Sequence, residues 1–163
     1  MFNFFNNSVK PAENRERKLF SAASGTVVPL ETVPDETFSK RMLGDGVAVI
    51  PSDDVIVSPA DGLVSMLYPA GHAFGMVLPN GVELLVHIGV DTVSLKGAGF
   101  RRFADENDVV RAGDPIIKVN RRFLIAQGYN PVTILIVTAA QRYLFDFVKP
   151  GTKVKRGSII ASF

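Results

Sequence analysis

Residues 71–89 read GHAFGMVLPNGVELLVHIG. Two apolar runs flank Pro79-Asn80-Gly81, and the second run alternates strictly. In an extended chain Glu83, Leu85 and His87 share one face, and Val82, Leu84, Val86 and Ile88 share the other. Asn-Gly favours the positive φ angles of a hairpin turn. Pro79 has no N–H to give to a ladder and belongs near a strand end. The stretch therefore predicts an antiparallel hairpin whose all-apolar set faces a core. With Asn80 and Gly81 as the two loop residues, Phe74 faces His87 and His72 faces Gly89. Both imidazoles then stand on one face, a diagonal step apart, where their rings can meet. A one-residue change in loop length would send one of them to the other face unless a bulge restored it.

The same grammar runs outward along the chain. Short β-like runs are expected at 25–29, 46–50, 55–58, 62–67, 115–119, 132–137 and 158–162. They are separated by turn signals such as Pro34-Asp35, Gly44-Asp45-Gly46, Ala60-Asp61-Gly62 and Lys149-Pro150-Gly151. This spacing predicts an all-β protein, an antiparallel β-sandwich or barrel with short helical turns. Only 121–127, closed by Gly128, reads as a helix, with a further turn expected around 35–42. VRAGDPII at 110–117 and VKRGSII at 154–160 share a valine, a basic residue, a glycine and an isoleucine three after it, which suggests an internally duplicated motif.

Residues 19–163 carry this pattern and form a single expected domain. Residues 1–18 differ: Phe2, Phe5 and Val9 share a helical face ahead of Pro11, amid several asparagines. They read as a flexible or weakly amphipathic segment, and 1–10 is the stretch suited to peripheral membrane contact. The formal net charge is only +2, and the basic pairs and the Lys153-Val154-Lys155-Arg156 run lack an aromatic platform. They read as solvated loops, so nucleic acid is not an expected partner. There is no cysteine, which excludes disulfides and thiol chemistry and suits a cytoplasmic location. The longest apolar run, 133–140, is far short of the roughly 20 residues of a spanning helix, and no secretion signal is present.

The two histidines are the only ones in the chain. Gly71 and Gly89 beside them leave room for something to approach the rings. On these residues alone three readings stand. The pair can be ordinary residues on a sheet face. It can hold zinc, which requires further ligands such as Asp91. It can also work covalently, one imidazole accepting a phosphoryl group while the other steadies its oxygens.

Several longer motifs bear on this choice. VPDETFS at 33–39, GDGVAVIP at 44–51, VSPADGLV at 57–64, GHAFG at 71–75 and GVELLVHIGVDTVSLKGAGF at 81–100 occur in this order. Together they resemble the glucose-type enzyme IIA component of the bacterial phosphoenolpyruvate-dependent sugar phosphotransferase system. The resemblance implies a β-sandwich with an internal repeat and a phosphotransferase that needs no cofactor or metal. It implies that His87 accepts a phosphoryl group from the histidine-containing phosphocarrier protein and passes it to the IIB domain of a sugar permease. His72 would hold the transferred group. Phe38, Tyr68 and Leu85, with Val90 and Leu43 beside them, match an apolar docking rim, and Asp35 and Asp91 match acidic positions facing the partners. Regulatory protein targets are a further expectation. Ala70 stands where the family commonly has a threonine, and 133–140 lacks an asparagine that often follows the corresponding strand. A zinc endopeptidase of the lysostaphin type would need a third histidine, which the chain lacks.

Overall fold

The structure, a computed structural model, describes Arg15 and residues 17–163. The expectation of membrane contact through 1–10 lies outside these residues. The chain opens with β1 (Lys18–Phe20) and β2 (Gly25–Val28), a 3-10 turn at Leu30–Thr32, and α1 (Glu36–Ser39). It continues through β3 (Asp45–Pro51), β4 (Val55–Val57), β5 (Gly62–Leu67), β6 (Ala73–Val77) and β7 (Glu83–Ile88). After a 3-10 turn at Thr92–Leu95 come β8 (Phe100–Arg102), β9 (Val109–Val110), β10 (Pro115–Val119) and α2 (Arg121–Ala126). The last elements are β11 (Thr133–Ala139), β12 (Asp146–Phe147), β13 (Lys153–Val154) and β14 (Ile159–Ser162).

An eight-stranded sheet in the order β13-β2-β3-β11-β7-β6-β5-β9 carries two three-stranded sheets, β1-β14-β12 and β4-β10-β8. Every pairing is antiparallel, as expected for a β-sandwich. The main core lies between the layers and includes Leu84, Val86 and Ile88 from the apolar face of β7. A second cluster covers the outer face of β11 and β7. There Leu30, Val33 and Phe38 pack on Ala48, Val90, Ile134 and Ile136, with Leu85 against them. This explains why β11 reads as a continuous apolar run: it is buried on both faces. Among the described residues no helix is long and apolar enough to cross a membrane.

The strands at 62–67 and 115–119 fall where the sequence predicts them. The two- and three-residue strands β1, β8, β9, β12 and β13 were not anticipated, because so few residues carry no periodicity. The helix expected at 121–127 is α2, with the Asn120 side chain accepting a hydrogen bond from the Phe123 N–H at 3.0 Å.

The duplication is more extensive than the VRAGDPII and VKRGSII pair. The Gly113 N–H donates to the Ser58 carbonyl at 2.9 Å, and the Gly157 N–H to the Ser21 carbonyl at 2.8 Å. The Ser58 hydroxyl donates to the Ala60 carbonyl at 2.7 Å, and the Ser21 hydroxyl to the Ala23 carbonyl at 2.6 Å. Gly62 pairs with Val110, and Gly25 with Val154. Thus β1, β2, β13 and β14 repeat β4, β5, β9 and β10, pairing for pairing.

The register of the β6–β7 hairpin departs from expectation by one residue. The loop has three residues, Pro79 to Gly81, because Leu78 and Val82 still pair, with the Leu78 N–H donating to the Val82 carbonyl at 2.8 Å. Gly81 takes the positive φ of +90° that such a loop demands. Phe74 consequently faces Val86, and Ala73 faces His87.

Candidate active site

In this register regular alternation would turn His72 toward the core, away from His87. The chain avoids this by bending at His72, whose carbonyl still accepts from the Ile88 N–H at 2.8 Å. Gly71 adopts φ +83°, and β6 begins only at Ala73. The His72 ring then meets the His87 ring edge-on, with centroids 5.4 Å apart and planes at 79°. The expected juxtaposition is reached by a different route, through a glycine kink beside the strand.

His87 rides on the outward face of β7 and is half-buried. Its Nδ1 lies 2.8 Å from the carbonyl oxygen of Gly89. A carbonyl only accepts, so Nδ1 carries the proton and donates, which leaves the lone pair on Nε2. Gly89 makes this geometry possible. Its φ is +80°, and a Cβ there would lie 2.4 Å from Thr92 Cγ2 and 3.0 Å from the Asn130 carbonyl oxygen. Thr92 is fully buried, and its hydroxyl donates to the Ile88 carbonyl at 2.5 Å, fastening the loop beneath the histidine.

His72 is only 5% exposed. It stacks on Tyr68 at 5.1 Å, and its Nδ1 is buried without a hydrogen-bond partner among the described residues. An orphaned buried N–H is rarer than an unsatisfied acceptor. This favours the tautomer with the lone pair on Nδ1 and the proton on Nε2. Burial holds the His72 imidazole below its ordinary pKa. For His87 burial again acts first, and the neighbouring His72 adds to it. The bond to Gly89 and the charges of Asp35 and Asp91 pull upward, but the net shift remains down. Both rings are therefore neutral near pH 7, and His87 keeps a nucleophilic nitrogen.

The rings open onto a recess of about 390 Å³. Of the sequence-predicted residues, Asp35, Phe38, Leu43, Tyr68, Leu85 and Asp91 line it with His72 and His87. Val90 does not; it is buried in the second cluster behind the site. Phe38 is itself 4% exposed, so most of its surface is buried in the second cluster, and its ring packs 5.0 Å from that of His87. Asp35 caps α1, accepting from the Thr37 N–H at 2.9 Å, while Asp91 makes no such cap and is exposed. Thr37 and Val93 also line the recess and were not singled out from sequence. Each sits two residues from a predicted position, Asp35 and Asp91. Part of the lining is apolar and exposed: Val93 is 58% and Leu43 42% accessible. Among the described residues no group of three or more His, Cys, Asp and Glu side chains could hold a metal ion.

Comparison with known proteins bears on the family and the fold. The family described as phosphoenolpyruvate-dependent sugar phosphotransferase system, EIIA 1, matches residues 17–143. The chain is 36% identical over 159 residues to the PTS system glucose-specific EIIA component of Buchnera aphidicola, spanning 98% of this chain and 91% of that one. It is 39% identical over 139 residues to the PTS system N-acetylglucosamine-specific EIICBA component of Klebsiella pneumoniae, spanning 85% of this chain but 21% of that longer protein. The fold is similar to glucose permease IIA from Mycoplasma capricolum, with a TM-score of 0.82, 37% identity, and coverage of 88% of this chain and 93% of that one. A sandwich of this form, a match spanning most of the chain and paired imidazoles in its recess together place the protein in the EIIA 1 family of the sugar phosphotransferase system, the phosphoryl carriers of sugar uptake.

Proposed function

We propose that His87 is the phosphoryl acceptor and that the group is held there as a phosphohistidine. The observation that carries this reading is the 2.8 Å contact between His87 Nδ1 and the Gly89 carbonyl, which leaves Nε2 as the free nucleophile. The donor is the phosphorylated histidine-containing phosphocarrier protein. The lone pair of Nε2 forms the new N–P bond as the donor's N–P bond breaks, and the donor imidazole leaves with that electron pair. The positive charge gained by the His87 ring is eased through Nδ1–H by the Gly89 carbonyl. The Nε2–H of His72 donates to a phosphoryl oxygen, a role supported by its 5.4 Å approach. Positioning does most of the work, because little covalent change is asked of the protein.

The acceptor is a cysteine of a IIB domain, and the reaction belongs in the cytoplasm. Match to a segment of an EIICBA protein supports a permease partner. In both encounters the apolar rim of Leu43, Tyr68 and Leu85 packs on the partner, while Asp35 and Asp91 attract its basic groups. Phe38 and Val90 hold that rim from behind. Ala70 leaves Thr37 as a hydroxyl side chain lining the recess.

The test is reconstitution with enzyme I, the phosphocarrier and phosphoenolpyruvate, read by intact mass. One acid-labile phosphoryl group should appear on the wild type and be absent from His87→Gln. His72→Gln should accept the group and pass it on slowly. An unmodified wild type, beside a control EIIA protein that loads, refutes the proposal. Normal onward transfer by His72→Gln refutes the supporting role.

A further inference from the structure

The duplicated halves share a backbone framework but differ in the charge they place on it. In the second half the Asp61 carboxylate accepts from the Ala112 N–H at 2.8 Å and is paired with Arg15 at 2.7 Å. The position equivalent to Asp61 in the first half is Ser24, whose hydroxyl oxygen accepts from the Arg156 N–H at 2.9 Å. The equivalence follows from the shared framework. Ser24 precedes Gly25 as Asp61 precedes Gly62, and those glycines pair with Val154 and Val110. One half therefore supplies its own carboxylate at this point, and the other offers a neutral hydroxyl.

The first half also carries more positive charge around this point. Where the second half has Val109, Arg111 and Ala112, the first has Lys153, Lys155 and Arg156. These three cations border an open groove of about 790 Å³ that is also lined by Ser24, Thr26 and Ser52. The single carboxylate in it, Asp53, is already paired with Arg156 at 2.7 Å. The side chains of Lys153, Lys155, Thr26 and Ser52 make no hydrogen bond or ion pair among the described residues. Period-2 spacing sends Lys153 and Lys155 to one side while Val154 packs toward the core. Thr26 pairs with Lys153 across the strands, so hydroxyl and ammonium are neighbours.

We propose that this groove is a second binding site, for a phosphate-bearing anion seated where Ser24 replaces the Asp61 carboxylate of the other half. Two lysines and two hydroxyl side chains without partners line the groove, more donors than one carboxylate can satisfy and a good match for the oxygens of a phosphomonoester. The volume suits a small ligand. The site is remote from the histidines: β13 stands four strands from β7, about 19 Å at ordinary strand spacing. It does not depend on His87 being the phosphoryl acceptor. The anion can be a soluble phosphomonoester or the headgroup of an acidic phospholipid, since both present the same oxygens.

The test follows amide resonances while inorganic phosphate or glycerol phosphate is added, with sodium chloride at matched ionic strength as control. Saturable shifts should appear at Ser24, Thr26 and Ser52 while His72 and His87 stay unmoved. Lys153→Ala/Lys155→Ala should weaken binding at least tenfold. Ser24→Asp should abolish it, because the new carboxylate takes the place of the anion. Thr26→Val, isosteric within its strand, should weaken it without disturbing the fold. A parallel arm measures sedimentation with phosphatidylglycerol and phosphatidylcholine vesicles. Binding to the anionic vesicles alone, lost in Ser24→Asp, identifies a lipid headgroup as the source; response to the soluble phosphates identifies a free ligand. The proposal is overturned by shifts that chloride reproduces, by shifts that persist in both Ser24→Asp and the double lysine variant, or by no response in either arm.

Discussion

Gly89→Ala is the sharpest test of how the fold prepares His87. The wild-type φ is +80°, in a region that costs an L-residue about 1–2 kcal/mol. The added Cβ would stand 2.4 Å from Thr92 Cγ2, inside a fully buried contact, so the loop must shift. Overpacking of this kind costs about 1–3 kcal/mol. The sum, about 2–5 kcal/mol, lowers the melting temperature of a domain this size by on the order of 10 °C. The movement also withdraws the carbonyl that now accepts from His87 Nδ1–H. Calorimetry reads the first effect, and nitrogen NMR of labelled histidine reads the second as growth of the other tautomer. Thr92→Ser removes the obstructing methyl and keeps the hydroxyl that donates to the Ile88 carbonyl. Gly89→Ala/Thr92→Ser should therefore recover part of the loss, giving a favourable coupling of about 1 kcal/mol between the two sites. The reasoning fails if Gly89→Ala unfolds within 1 °C of wild type and keeps a single Nδ1–H tautomer, or if the double variant shows no coupling.

Four further outcomes follow. Both imidazoles have folded pKa values below their unfolded ones, so they contribute stability above the unfolded value of about 6.5 that is lost as pH falls through the folded values. Replacing both by Gln should flatten the acid limb of a denaturation-versus-pH curve, and an unchanged limb contradicts the shifts. For the same reason the rate of phosphoryl loading should keep its plateau to below pH 6.5 and fall only with protonation of His87; a midpoint above 6.5 contradicts it. Phe38→Ala empties a site 4% exposed in the second core cluster and should cost about 3 kcal/mol in urea denaturation while raising His87 mobility. Val93→Asp, at a position 58% exposed, should leave stability within about 0.5 kcal/mol yet weaken capture of the phosphocarrier in loading kinetics.

The alternation of residues 82–88 determined which face of β7 enters the core and which carries His87, because strand periodicity is a local property of the backbone. The motifs around both histidines were likewise legible, and with them the family. The glycine turns at Gly113 and Gly157 pointed to duplication, since each needs a positive φ that the sequence announces. Other features were decided by contacts between distant residues. Asn80-Gly81 suggested a two-residue loop, but the Leu78–Val82 pair made it three, and only the kink at Gly71 returned His72 to its partner. Phe38 reads as a rim residue from its motif, and only the folding of α1 over β7 and β11 buries it in the second cluster. Ser24 and Asp61 are distant in sequence and differ in character, one neutral and one charged, and only superposing their hydrogen bonds reveals that they fill the same position. A local pattern can specify a conformation and a face. Register, partner strands and the meeting of side chains depend on which long-range packing excludes most water, and that is a property of the whole chain.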